Sequence, residues 1–94
     1  MDELLAMFKM TIGDFTPDNP LDQYYSNFLN MAAEQIKSND ISESVLNSDL
    51  GKATTVLWAE ALMNKKDIAN DPTLNLLRNT LSAQTKGERY ADGE

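Results

Sequence analysis

The 94-residue chain has no cysteine and no histidine. Those two absences remove disulfides, thiolate nucleophiles, imidazole bases and nearly every structural zinc site. Glycine is scarce, and Gly13, Gly51, Gly87 and Gly93 stand too far apart to build a phosphate loop or a dinucleotide fingerprint. Apolar runs such as Val56-Leu57-Trp58-Ala59 fall far short of the roughly 20 residues a membrane span needs. The start, Met1-Asp2-Glu3, is acidic where a signal peptide is basic, and there is no Asn-x-Ser/Thr acceptor. The expected setting is therefore a reducing cytosol.

Bases are few as well, with 8 Lys and Arg against 15 Asp and Glu. Residues 1–50 carry nine acids and two bases, a net charge of −7, while residues 51–94 carry six of each. A groove for a polyanion needs clustered cations, so tight DNA binding by a lone copy is not expected, and the acids read first as a solvated helix surface. A helix-turn-helix regulator built on helices near 52–64 and 72–84 fails on the same lack of bases. Calcium-loop spacing fails too: Asn47-x-Asp49-x-Gly51 misplaces its glycine and puts Trp58 at the twelfth position. With no cleft or ligand set to pair its carboxylates, the chain is read as no enzyme and as needing no cofactor.

What the sequence does contain is helical periodicity. Residues 2–9 place acids at the front, Leu4, Leu5 and Phe8 at helical spacing and Lys9 near the end, an order that suits the helix dipole. Phe15-Thr-Pro-Asp-Asn-Pro20 then reads as a turn. Leu21, Tyr24, Tyr25, Phe28, Leu29, Ala32 and Ile36 recur at 0, 3, 4, 7, 8, 11 and 15, which predicts one amphipathic helix over about 20–37. Asn19 and Pro20 open it, and Ser38-Asn39-Asp40 stops it.

Residues 39–51 are polar, with Ile41, Val45, Leu46 and Leu50 as anchors, and read as a connection containing a helical turn. Ser48 or Asp49 can cap the next helix, a run from Lys52 to Lys65 that is apolar on almost every side and so is expected at the centre of the fold. Trp58 with Leu62, and Leu57 with Ala61, should meet different neighbours; in so small a domain one such face could also be an oligomer contact. Asn70-Asp71-Pro72 is a strong helix start, and Leu74, Leu77 and Leu81 carry that helix through about residue 84. The fold expected is all-α, a small bundle of about four helices over residues 1–84, with 85–94 a flexible tail. Its core is expected at Leu21, Tyr25, Phe28, Leu29, Ile36, Leu57, Trp58, Leu62, Leu74, Leu77 and Leu81.

Three segments taken in order carry a family resemblance. A short leading helix and Pro turn precede Leu21-Asp-Gln-Tyr-Tyr-Ser-Asn-Phe-Leu-Asn-Met-Ala-Ala-Glu-Gln-Ile36. A buried Lys52-Ala-Thr-Thr-Val-Leu-Trp-Ala-Glu-Ala-Leu62 follows, and then Pro72-Thr-Leu-Asn-Leu-Leu-Arg78 with a charged end at Arg89-Tyr90. Over about residues 3–90 the chain resembles the small head-to-tail connector, or adaptor, proteins of long-tailed bacteriophages, also described as DNA-packaging or head-completion proteins. The resemblance implies a virion subunit, present in the host cytoplasm before assembly, that forms a homo-oligomeric ring on the portal protein and extends the DNA channel toward the tail. Portal and head-closure or tail-completion proteins are its implied partners, and DNA passes through without tight binding. Whether the free chain is a monomer is left open.

A domain too small for a large private core gains stability at neighbour interfaces, which suits such a ring. Acids facing the channel would repel DNA. Lys86, Arg89 and Tyr90 in the tail are the expected portal anchors. The rival reading is a small acidic helical regulator or inhibitor that binds one basic protein, with the charge of the first half as its support.

Overall fold

The computed structural model describes the backbone of residues 2–93 except Asp18 and Asn39, and the side chains of residues 3–88 with the same two exceptions. Five helices follow one another: α1 (Asp2–Ile12), α2 (Asp22–Lys37), α3 (Glu43–Leu46), α4 (Asp49–Met63) and α5 (Pro72–Gly93), with a 3-10 turn at Ile68–Asn70. No strand occurs among the described residues. The all-α class and the bundle architecture are as the periodicity predicts.

Helix α4 is the hub, packed against each of the other four helices. Its composition explains why it can be: small Gly51, Ala59 and Ala61 are buried together with Val56 and Trp58, so neighbours approach closely on several sides. Thr54 and Thr55 are also buried, and their hydroxyls donate to the carbonyls of Leu50 (2.7 Å) and Gly51 (2.8 Å), so both are satisfied within the helix itself. Around this hub the core gathers Phe8 from α1, Tyr25, Leu29, Ala32 and Ile36 from α2, Ile41, Val45 and Leu46 from the α3 region, and Leu74 and Leu81 from α5.

The ends of these helices follow their local chemistry. After Ile12 the chain turns through Gly13 at φ +80°, with the Asp14 N–H donating to the Lys9 carbonyl (2.8 Å) and the Gly13 N–H to Met10 (3.2 Å), a Schellman closure that glycine enters without steric cost. Asn19 Oδ1 accepts the Leu21 N–H at 2.9 Å, so this asparagine organises the turn into α2. Ser48 caps α4 by accepting the Gly51 N–H at 3.1 Å, and Asp71 caps α5 through the amides of Thr73 (3.0 Å) and Leu74 (3.1 Å). A second Schellman closure ends α4, with Lys66 N–H on the Ala61 carbonyl (2.9 Å) and Lys65 held at φ +56°.

Of the expected core, Tyr25, Leu29, Ile36, Trp58, Leu74 and Leu81 are buried, and Phe28, Leu62 and Leu77 are partly buried against it. Leu21 and Leu57 are corrections, because both are exposed. Leu21 sits in the turn ahead of α2, and Leu57 lies at the shallow groove between α4 and the start of α5, which leaves it exposed. Phe8 belongs in the core and was absent from the expected set.

The expected boundary at residue 84 also moves. Helix α5 runs on to Gly93, and Thr85 is buried at 1% exposure, where its Oγ1 accepts the Ser42 N–H at 3.1 Å and donates to the Leu81 carbonyl at 3.1 Å. One turn later Glu88 accepts from Ser42 Oγ (2.8 Å) and Ser44 Oγ (2.5 Å). Partners 43 to 46 residues earlier in the chain thus hold residues 85–88 against the α2–α3 connection, which no local composition rule reveals.

Candidate functional site

The apolar face of α2 is wider than the core can cover. Tyr25, Leu29, Ala32 and Ile36 are buried. Leu21 (49% exposed), Tyr24 (48%) and Met31 (45%), with half-buried Phe28 between them, form a second stripe at 0, 3, 7 and 10. At about 100° per residue the two stripes lie roughly a quarter-turn apart on one helix. Tyr24 and Phe28 hold each other edge to face, with centroids 5.0 Å apart and planes at 84°, while Tyr24 also leans on buried Tyr25 at 6.1 Å. The outer stripe is therefore an ordered aromatic surface tied to the core. Gln35 continues it by one step and accepts the Trp58 indole N–H at 3.0 Å, linking its end to α4.

A polar network fixes the loop before α2. Asp14 accepts from the Thr16 N–H (3.0 Å), the Asn19 amide (2.6 Å) and the Tyr25 hydroxyl (2.8 Å). The Thr16 amide, followed by the Tyr25 hydroxyl, holds the Asp14 carboxyl below its ordinary value. The same bond pushes the Tyr25 phenol up. Lys9 Nζ donates to the Thr16 carbonyl (2.7 Å) and pairs with Asp22 Oδ1 (2.9 Å). On this frame Phe15 stands 76% exposed beside a shallow cavity of about 210 Å³ that it lines with Ala6, Lys9, Met10 and Pro17.

A second surface lies where α4 meets α5. Leu57, Glu60, Ala61, Lys66, Asp71 and Leu74 are among the residues lining a shallow groove of about 170 Å³, and Leu76 on α5 is 65% exposed. Asp71 is engaged with the first amides of α5. Lys65, Lys66, Arg78 and Lys86 form no ion pair among the described residues, whose pairs are Lys9–Asp22, Lys37–Glu43 and Lys52–Glu3.

Of the expected anchor residues, Lys86 is exposed on α5. Arg89 and Tyr90 fall on the helical backbone of α5, but their side chains lie outside the described residues. The outer stripe was missed because its members were merged with the buried ones into a single face. Met31, which carries the apolar arc farthest from the core side, was the residue that could have separated them.

Among the described residues no helix is long and apolar enough to cross a membrane, and no group of three or more acidic side chains is placed to hold a metal ion. The chain matches no family model, no curated protein and no solved structure.

Proposed function

We propose that the chain is a structural virion protein, a head-to-tail connector subunit of a long-tailed bacteriophage that assembles as a ring on the portal and extends the DNA channel toward the tail. The observation that carries this reading is the outer stripe of α2. A domain of 94 residues leaves Tyr24 and Met31 on α2, and Leu21 at its N-cap, outside the core, an arrangement suited to burial against another subunit. The charge of −7 in residues 1–50 supports a channel wall that DNA passes without adhering. No catalytic, cofactor or membrane role is part of the proposal.

The portal is the proposed partner of the distal part of α5, with Lys86, Arg89 and Tyr90 as contacts. Head-closure or tail-completion proteins would meet the opposite end of the ring. The test is disruption of the gene in the phage or prophage that encodes it. The connector reading predicts DNA-filled heads that fail to join tails, seen by electron microscopy and rescued by the gene in trans. Complete, infectious particles in its absence would refute the reading and favour the small acidic inhibitor.

A further inference from the structure

We propose that two copies of the free chain pair through the outer stripes of α2, laid antiparallel about a two-fold axis. The spacing of the stripe points to a helix as its occupant. Leu21, Tyr24, Phe28 and Met31 fall at 0, 3, 7 and 10 and exposed Gln35 at 14, alternating threes and fours that give the narrow seam of a coiled coil rather than the wider arc of a helix lying on a globular core. Such a seam is complementary to itself. Two antiparallel copies centred between Tyr24 and Phe28 set Leu21 against Met31 of the second copy and Tyr24 against its Phe28, so every layer is apolar on both sides. Tyr24 and Phe28, edge to face at 5.0 Å within each copy, then meet their counterparts as one aromatic cluster at the axis.

Charge permits this pairing and sets its direction. The exposed flank of the stripe carries the amides of Gln23, Asn27 and Asn30, with Gln23 Nε2 donating to Asn27 Oδ1 at 3.0 Å, and Glu34 is its one charge. Asp22 and Lys37, the other charged residues of α2, fall on the far side of the helix, paired with Lys9 (2.9 Å) and Glu43 (2.6 Å). A parallel pair would set the two Glu34 carboxylates side by side; the antiparallel pair holds them roughly 24 Å apart at about 1.5 Å per residue. Each whole chain still carries −7, a long-range repulsion that salt screens, so the pair should tighten as ionic strength rises, where a contact held by ion pairs would loosen. Half-exposed Leu21, Tyr24 and Met31 with partly buried Phe28 leave on the order of 400 Å² of stripe per copy, so the pair is a weak and reversible dimer rather than a permanent one.

The absence of cysteine lets introduced thiols report the geometry. Leu21→Cys and Met31→Cys chains, distinguishable by mass and each checked for helicity, are mixed at millimolar concentration and oxidised mildly. A disulfide needs Cα atoms within about 7 Å, so the antiparallel pair predicts mixed dimers in roughly tenfold excess over either homodimer. Predominant Met31→Cys homodimers would mean a parallel seam, and cross-linking no greater than that of a control at exposed Leu76→Cys would remove the stripe as a self-contact; either overturns the proposal. Sedimentation of the parent chain supplies a second readout. It should show a monomer–dimer equilibrium that tightens with salt, and Tyr24→Lys should raise the dissociation constant roughly tenfold or more at unchanged helicity. A parent chain that stays monomeric at millimolar concentration overturns the pair. The pair does not rest on the connector reading, but it occupies the surface which that reading gives to ring neighbours, so it must open before a ring forms. A dimer in a chain absent from virions leaves the pair standing and removes the connector reading; a virion protein that is monomeric when free does the reverse.

Discussion

The Tyr25 hydroxyl donates to the Asp14 carboxylate at 2.8 Å, joining a buried residue of α2 to the loop that carries exposed Phe15. Asp14 sits below its ordinary value of 3.8, so the stability it contributes is present above that value and is lost as the pH falls through its lower folded value. Tyr25 is raised above 10.0, so its contribution is present below that value and is lost as the pH rises through its higher folded value. Tyr25→Phe should move the Asp14 carboxyl back toward its ordinary value and loosen residues 13–17. Carboxyl chemical shifts followed through an acid titration check both; an unmoved Asp14 would contradict the role given to the phenol.

Gly51, in the first turn of α4, lies directly against the backbone that ends α3. A Cβ there would lie 2.2 Å from the Leu46 carbonyl oxygen and 2.3 Å from that of Val45, so backbone rather than a flexible side chain would have to move. Gly51→Ala should destabilise the domain by about 3 kcal/mol or more, against the gain of about 0.4–1 kcal/mol that a compatible Gly→Ala change brings elsewhere. Gly87, with nothing within 4 Å of its added Cβ, is the control, and Gly87→Ala should stabilise α5 by up to about 1 kcal/mol. Urea unfolding of the two variants measures the contrast.

Glu88 pins the later turns of α5 to Ser42 and Ser44, whose hydroxyls hold its carboxyl below the usual glutamate value. Glu88→Ala should leave the global transition nearly unchanged and raise amide exchange selectively from about Thr85 onward. Truncation after Glu88 keeps this clasp, and under the connector reading it should still abolish capture by portal protein in a pull-down. Undiminished capture would show that the anchor lies elsewhere than at Arg89 and Tyr90.

The two stripes of α2 should respond oppositely to truncation. Leu29→Ala, at a side chain 1% exposed, should cost about 2–5 kcal/mol of stability. Met31→Ala and Leu21→Ala should fall within about 0.5 kcal/mol of the parent while weakening self-association. Thermal unfolding and sedimentation on the same samples separate the two effects. Equal destabilisation by Met31→Ala would mean that the outer stripe belongs to the core.

Much of the fold was legible in the chain because its helices obey local rules. Ser48, Asp71 and Pro72 announce where helices begin, and the breadth of apolar residues in α4 announces a hub. Relations set by distant partners were not legible. Thr85 and Glu88 look like part of a polar tail until Ser42 and Ser44 are brought beside them. Leu57 reads as core in a nearly all-apolar helix, yet at the α4–α5 groove it stays exposed. The candidate site was hidden by the same averaging: period 3.6 identifies an apolar arc, but only the packing shows which edge of the arc the core uses.

The most direct test of the connector account is quantitative mass spectrometry of purified particles from the phage or prophage that encodes the chain, counting it against the portal protein. The account predicts a ratio near one to one, retained in DNA-filled heads whose tails have been removed. Absence from particles would contradict it and favour the small acidic helical regulator or inhibitor that binds a basic protein.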